Sequence, residues 1–113
     1  MYYDFMMEVL SSLEPRYEDA DCYLFKELEE VNEVIFFNKG VYEIGYEFNG
    51  EEKFKIRYKN SNLIGAYNVT FGKRSQYIYK TKTICNGWFI RRIKWIKIIN
   101  DHEMVSDEFK DKI

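Results

Sequence analysis

A strict alternation of apolar and polar residues constrains the fold of this chain more than any other sequence feature. Every second residue is apolar from Tyr42 to Phe48, and the same pattern returns from Phe54 to Tyr58. Successive side chains of a β-strand point to opposite faces, so a period of two predicts two strands that each have one apolar face. Asn49-Gly50 lies between them and is a common hairpin turn. The pattern therefore predicts an antiparallel hairpin near the middle of the chain.

The register of this hairpin depends on the length of its loop. Directly opposed residues share a face, so pairing the two apolar sets requires an odd number of loop residues. A turn made of Asn49 and Gly50 alone would place Tyr46 opposite Lys53 and mismatch both faces. We therefore expect a loop of three or five residues, with glutamates of the first strand on the same face as the cations of the second.

Helical spacing of apolar residues occurs before the hairpin. Residues 5–13 carry an apolar stripe, Asp4 can cap the helix, and Pro15 disfavours helical geometry at the residue before it. A second stripe runs from about Asp21 to Val31, with glutamates on the opposite side. Two amphipathic helices are predicted here.

Further strands are predicted after the hairpin, over 63–71, 76–85 and 88–99, with breaks at Asn60-Ser61-Asn62, Gly72–Ser75 and Asn86-Gly87. Residues 88–99 also contain helical spacing, so a helix stays open for that segment. A short helix is expected from Ser106. The predicted fold class is α+β: two N-terminal helices packed on an antiparallel five- to six-stranded meander sheet, with a short C-terminal helix. At 113 residues we expect a single domain, 1–113.

The formal net charge of −2 conceals a strong segregation of charge along the chain. Residues 1–56 hold 14 acidic and 5 basic residues, whereas residues 57–100 hold 10 basic residues and no acidic one. The last 13 residues hold 5 acidic and 2 basic residues. Two interpretations stay open: the acidic helices neutralise the basic strands internally, or each charged region faces a partner.

The basic region suggests an anion-binding or nucleic-acid-binding surface, because aromatic residues alternate with its cations. A turn at Asn86-Gly87 would place Lys82 opposite Arg91, and directly opposed cations favour a bound anion. Single-stranded nucleic acids bind such surfaces by stacking bases on rings while cations follow the phosphates. The predicted site residues are Lys73, Arg74, Tyr77, Tyr79, Lys80, Lys82, Arg91, Arg92 and Lys94.

The acidic region suggests a partner-binding face on the second predicted helix. Such a face can imitate the phosphates of a nucleic acid and occupy the basic cleft of another protein. Its residues are Asp19, Asp21, Glu27, Glu29, Glu30 and Glu33. We therefore expect first a small non-enzymatic inhibitor that acts by charge complementarity on a nucleic-acid-handling protein, such as a nuclease or a CRISPR-type effector, and whose composition suggests a phage anti-defence origin. The alternative is direct nucleic-acid binding by residues 57–100.

Enzymatic chemistry has weaker support in the sequence. His102 is the single histidine, and no spacing of His, Cys or carboxylate residues matches a metal site. A metal-independent RNase that uses tyrosines, lysines and arginines of the basic region is a further alternative. No catalytic residue, metal or cofactor is predicted.

The expected compartment is the cytoplasm, or the host cytoplasm if a phage encodes the chain. No stretch reaches the about 20 apolar residues that cross a bilayer, and the N-terminus lacks the pattern of a signal peptide. Cys22 and Cys85 fit no metal or redox motif, and the sequence leaves open whether they meet. It also leaves the oligomeric state open.

Overall fold

Two antiparallel sheets and the helices beside them make up the structure, a computed structural model that describes residues 2–59 and 63–113. The predicted break at Asn60-Ser61-Asn62 lies outside the described residues. In chain order the elements are α1 (Tyr2–Ser11), β1 (Glu14–Glu18), β2 (Tyr23–Phe25), β3 (Glu33–Lys39), β4 (Tyr42–Phe48), β5 (Glu51–Tyr58), β6 (Leu63–Ile64), α2 (Ala66–Phe71), β7 (Ile78–Thr81), β8 (Cys85–Arg91), α3 (Arg92–Asp101) and α4 (Glu103–Lys110).

The strands form two four-stranded sheets with the orders β1-β8-β3-β6 and β2-β7-β4-β5. Neighbours in a sheet are mostly distant in sequence, so the chain crosses repeatedly between the sheets in a jelly-roll-like arrangement. The predicted five- to six-stranded meander is therefore wrong. A meander needs each strand to pair with the next one along the chain, and among the strands of the described residues only β4 and β5 do so.

The first predicted helix is confirmed as α1, which begins at Tyr2 and places Asp4 in its first turn rather than at its cap. Phe5 is buried and its ring contacts the rings of His102 and Phe109, so α1 packs beside the C-terminal helices. The predicted C-terminal helix is present as α4. It begins before Ser106, whose hydroxyl donates to the carbonyl of Ile99 at 2.9 Å.

The second predicted helix, Asp21–Val31, is wrong. Its first part is β2, which pairs with β7, and Leu28 has a φ of 65°, a left-handed conformation that ends any helix. Leu24 and Phe25 are both buried, although they are adjacent in a strand. Pairing with β7 and burial of these two side chains thus override the helical spacing, which is a local signal only.

The predicted hairpin is present as β4 and β5. The expected odd number of loop residues is wrong, because the loop is a two-residue turn made of Asn49 and Gly50. Asn49 and Gly50 have φ values of 51° and 79°, as in a type I′ turn, and Tyr46 lies opposite Lys53. An irregularity between Ile44 and Gly45 then shifts the register by one residue and places Ile44 opposite Ile56. A bulge, not a longer loop, therefore brings the apolar residues of the two strands opposite each other.

The expected attraction across this hairpin is confirmed. Arg57 of β5 forms an ion pair with Glu43 of β4 at 2.8 Å, and the two residues are directly opposed. This pair and the apolar pairs on the other face lie on the side of the bulge away from the turn, where the register has shifted.

Residues 63–71 form a short strand and a helix instead of the predicted strand. The change occurs at Gly65, whose φ is 86° and where a Cβ atom would lie 2.8 Å from the carbonyl oxygen of Glu33. Helix α2 follows and ends at Gly72, which has a φ of 64°. Two glycines in left-handed conformations thus delimit a six-residue helix.

Residues 88–99 are divided between strand β8, which ends at Arg91, and helix α3, so each alternative describes part of the segment. Asn86 and Gly87 lie inside β8, not in a turn, and β8 pairs with β1 and β3. Lys82 and Arg91 are therefore not opposed. A Cβ atom at Gly87 would lie 2.0 Å from the carbonyl oxygen of Phe36, so only glycine allows β3 to approach so closely.

The sheet that contains β3 is covered on both faces. Ile35 and Phe37 are buried, and the ring of Phe37 lies 6.3 Å from that of Tyr42 in the other sheet. Val34 is buried on the opposite face, where α1 and α3 pack. No helix within 2–59 and 63–113 is long and apolar enough to cross a membrane.

Candidate anion-binding site

A small polar cavity lies where α2 ends and α3 begins. Its volume is about 110 Å³. The residues that line it come from three separate parts of the chain, and they are Glu30, Val31, Asn68, Gly72, Lys73, Arg74 and Arg92. Three cations and one carboxylate thus line the same small cavity.

The C-terminal end of α2 forms one wall of this cavity. Gly72 turns the chain out of the helix, and the backbone N–H of Lys73 then donates to the carbonyl of Asn68 at 2.8 Å. The side-chain amide of Asn68 donates to the carbonyl of Arg74 at 2.9 Å. These bonds hold residues 72–74 against the helix, which positions both cations of that segment.

The loop between β2 and β3 forms the opposite wall. The N–H of Leu28 donates to the carbonyl of Ser75 at 2.8 Å, and the N–H of Ser75 donates to the carbonyl of Glu29 at 3.0 Å. The guanidinium of Arg74 donates to the carbonyl of Leu28 at 2.9 Å. Ser75 itself is only 2% exposed. The loop and the segment after α2 are therefore fixed to each other through their backbones.

The third contribution comes from the first residue of α3. The N–H of Arg92 donates to the carbonyl of Asn32 at 2.9 Å, so the start of α3 is attached to the same loop. Across the part of the chain that the structure describes, neither Lys73 nor Arg92 has an acidic partner within ion-pair distance. A guanidinium nitrogen of Arg74 lies 3.6 Å from a carboxylate oxygen of Glu30. The cavity lining therefore has an excess of positive charge.

Three of the nine residues predicted from the basic region, Lys73, Arg74 and Arg92, meet in this cavity. The others lie elsewhere. Lys80 lies over the rings of Tyr23 and Phe54, and Arg91 is paired with Glu14 at 2.8 Å. Tyr77 and Lys82 are exposed, and Lys94 lines a separate cleft beside Glu8. Tyr79 packs against Phe25 between the sheets, where burial raises the pKa of its hydroxyl.

The six predicted acidic residues do not form a helix face, because the helix is absent. Glu33 pairs with Arg16, and the side chain of Glu29 accepts a hydrogen bond from the N–H of Lys26 at 2.9 Å. Glu27 accepts one from the N–H of Glu47. A hydrogen bond to Asp19 raises the pKa of Tyr17, and Asp21 lies in a left-handed turn. Glu30 is the one of these six residues that lines the polar cavity described above.

Sequence reasoning did not identify Asn68 and Gly72 as part of the site, and it assigned Glu30 to a different surface. The signal for Asn68 and Gly72 was available in part. Two glycines, Gly65 and Gly72, enclose a segment too short for a regular helix of average length, and the two cations follow directly. That spacing indicates a tight turn with backbone groups and cations on one side.

Aromatic rings cover part of the inner face of the sheet formed by β2, β7, β4 and β5. Tyr42 is stacked on Tyr58 with ring centroids 5.4 Å apart, and Phe25 meets Tyr79 edge to face at 6.2 Å. None of these four residues lines the polar cavity, which lies apart from them.

A larger cavity of about 450 Å³ lies between α1 and the outer face of the β3 sheet. Its lining is apolar and includes Phe5, Val9, Trp88 and Trp95. The indole N–H of Trp95 donates to Thr70, so that residue presents only carbon to the cavity. With no charged side chain in the lining, this space offers nothing to an anion.

Metal and cysteine chemistry have no assembled site in the described ranges. Residues 2–59 and 63–113 contain no group of three or more His, Cys, Asp and Glu side chains that could hold a metal ion. His102 lies 3.3 Å from Glu8 and against the ring of Phe5. Cys85 is fully buried, and burial raises the pKa of its thiol, which keeps it protonated and unreactive.

Comparison with solved structures identifies the fold. The chain is similar to the regulatory domain of Toxoplasma gondii PKA co-crystallised with cAMP, at 14% identity and a TM-score of 0.78, over 87% of this chain and 38% of that one. It is similar to the c-di-GMP responsive global regulator CLP of Xanthomonas campestris, at 12% identity and a TM-score of 0.73, over 95% and 53% of the two chains. The C-linker/CNBHD of zELK channels, crystallised in the presence of cAMP, matches at 12% identity and a TM-score of 0.81, over 96% and 55%.

These similarities concern the fold, because the identities are low. No family model and no curated protein matches the chain. The chain spans between 38% and 55% of the length of the three structures it resembles.

The prediction of a phage anti-defence inhibitor is wrong, because the chain has the fold of regulatory domains studied with cyclic nucleotides and the acidic helix on which that prediction rested does not form. The basic sheet assumed for direct nucleic-acid binding, and for the RNase alternative, is also absent. The chain adopts the jelly-roll-like fold seen in domains crystallised with cyclic nucleotides.

Proposed function

We propose that this chain is a small-molecule-binding regulatory domain whose ligand places a phosphate group between Lys73, Arg74 and Arg92. The observation that carries this proposal is the convergence of the three cations on one cavity, although they come from two distant segments. Phosphate oxygens accept hydrogen bonds from guanidinium and ammonium groups, which are strong because both partners are charged.

The size of the cavity limits what part of a ligand it holds. At about 110 Å³ it is well below the 300–1,000 Å³ of pockets that enclose drug-sized molecules. The rest of the ligand therefore lies outside the cavity. A cyclic nucleotide is the class that the structural similarities suggest, since two of the three compared structures were crystallised with cAMP and the third protein responds to c-di-GMP.

The position of the cavity suggests how binding is reported. Arg92 is the first residue of α3, and α3 packs against α1 and α4. An anion held by Arg92 and Arg74 would therefore contact the helical part of the domain directly. We propose that the response passes through these helices to a further domain or to a nucleic-acid-handling partner.

The two cysteines are free, which agrees with a reducing cytoplasm.

The test is equilibrium binding of a fluorescent cAMP analogue at low ionic strength, with unlabelled cAMP, cGMP and c-di-GMP as competitors. Arg74→Ala should weaken binding by about tenfold or more, because a charged hydrogen bond contributes about 1.5–3 kcal/mol. Lys82→Ala is the matched control, since Lys82 is an exposed cation outside the cavity, and its affinity should equal that of the wild type. Equal losses in the two variants, or no binding of any nucleotide by the wild type, would refute the proposal.

A further inference from the structure

A carboxylate shares the cavity with the three cations, and its charge opposes theirs. We propose that Glu30 acts as an internal competitor that lowers the affinity of the cavity for dianionic phosphomonoesters more than its affinity for singly charged phosphodiesters. This inference rests on the proposed function, because it concerns the same cavity.

The backbone around Glu30 keeps this carboxylate at the cavity. The loop that carries it is hydrogen-bonded to the segment after α2 through Leu28, Glu29 and Ser75. Leu28 adopts a left-handed conformation with a φ of 65°, which turns the chain so that Glu30 follows on the cavity wall. The side chain itself is 61% exposed and can rotate toward solvent. The carboxylate is thus local to the site without being locked in it.

The contact between Glu30 and Arg74 is replaceable. At 3.6 Å it exceeds the 2.7–3.2 Å of a good N–H···O hydrogen bond, and 63% of the Arg74 side chain is exposed. Exposed ion pairs of this kind are weak. A phosphate oxygen that reached Arg74 together with Lys73 and Arg92 would therefore take the place of the carboxylate.

The remaining negative charge then acts unequally on ligands of different charge. Because the loop backbone is fixed at the cavity wall, the Glu30 carboxylate lies near a bound anion and repels it. The repulsion scales with the charge of the ligand, and a phosphomonoester carries about −1.5 to −2 at neutral pH whereas a phosphodiester carries a single charge. Glu30 therefore penalises a monoester more than a diester.

The experiment compares cAMP and 5′-AMP, which share the base and the sugar. The phosphate of cAMP is a singly charged diester closed on O3′, whereas 5′-AMP has a phosphomonoester of higher charge and a free 3′-hydroxyl. Dissociation constants are measured by competition with the fluorescent cAMP analogue for the wild type, Glu30→Gln and Glu108→Gln. Glu108 is an exposed acid in α4, so its variant has the same change in net charge away from the cavity. Glu30→Gln should bind cAMP about two- to fivefold more tightly and 5′-AMP by a larger factor. Glu108→Gln should match the wild type.

The outcomes separate the two proposals. Binding of cAMP that depends on Arg74, with no gain of affinity in Glu30→Gln, would overturn the role of Glu30 and leave the proposed function standing. Equal gains for the two nucleotides would overturn the charge preference. Failure of the wild type and of Glu30→Gln to bind either nucleotide would overturn both proposals. A higher ionic strength should reduce the gain in Glu30→Gln, since the effect is electrostatic.

Discussion

The indole N–H of Trp95 in α3 donates a hydrogen bond to the hydroxyl of Thr70 in α2 at 2.8 Å. Trp95 is 2% exposed, and its ring also meets that of Phe109 in α4. Trp95 thus connects the short helix that ends at the polar cavity with both C-terminal helices.

Replacing Thr70 by Val should destabilise the domain. The substitution keeps the shape of the side chain but leaves the buried indole N–H without an acceptor, which costs about 1–3 kcal/mol. The free energy of unfolding, measured in urea, should fall by this amount. Tyr67→Phe is the matched control, because it removes an exposed hydroxyl from the same helix and should leave the unfolding midpoint unchanged. A midpoint for Thr70→Val that equals the control would show that the bond contributes nothing.

Replacing Gly87 by Ala should also destabilise the domain. The added methyl group would meet the backbone of Phe36 and Phe37 at 2.0–2.7 Å, and β3 and β8 would have to separate. Overpacking of this kind costs about 1–3 kcal/mol. Asn86→Ala, one position earlier and exposed, should have little effect on the urea midpoint. Two variants of equal stability would argue against the close approach of these strands.

The two cysteines should differ sharply in reactivity. Cys85 is fully buried with a raised pKa, whereas Cys22 is partly exposed. In the native protein we expect a disulfide reagent such as DTNB to titrate one thiol quickly and the second only after addition of urea. A Cys22→Ser variant should show no fast reaction. Rapid titration of both thiols in the native protein would contradict the burial of Cys85.

The ion pair of Glu14 and Arg91 should make stability depend on pH in the acid range. The guanidinium of Arg91 donates to both carboxylate oxygens, at 2.8 and 3.1 Å, and this holds the pKa of Glu14 below its usual range. A carboxyl group whose pKa is lower in the folded state stabilises the fold above the unfolded pKa and loses this contribution as pH falls through the folded pKa.

Glu14→Gln should therefore lose less stability than the wild type when the pH is lowered from 7 to 3, and it should be less stable than the wild type at neutral pH. Urea midpoints measured across this range check both statements, and Glu108→Gln controls for the change in net charge. Parallel pH profiles for wild type and Glu14→Gln would contradict the effect of Arg91 on this carboxyl group.

Those parts of the fold that depend on nearby residues could be predicted from the sequence. Helix α1, the hairpin of β4 and β5 and the presence of a C-terminal helix follow from periodicity and turn residues, because their hydrogen bonds join residues close in the chain. The attraction between Glu43 and Arg57 was predicted for the same reason. Within the site, Lys73, Arg74 and Arg92 were anion-binding candidates because they belong to the basic region that contains no acidic residue.

The tertiary structure alone decided the rest. Residues 23–25 belong to a segment with helical spacing but form a strand. The reason is that β7 supplies hydrogen-bond partners and a buried position for Phe25. Asn86-Gly87 has the sequence of a turn but lies within β8, because β1 and β3 pair with it on both sides. Arg92 joins Lys73 and Arg74, and Glu30 opposes them, only after the strands have crossed between the two sheets. Local patterns determine which backbone bonds a segment can form, whereas long-range pairing determines which of them it does form and which distant charges meet.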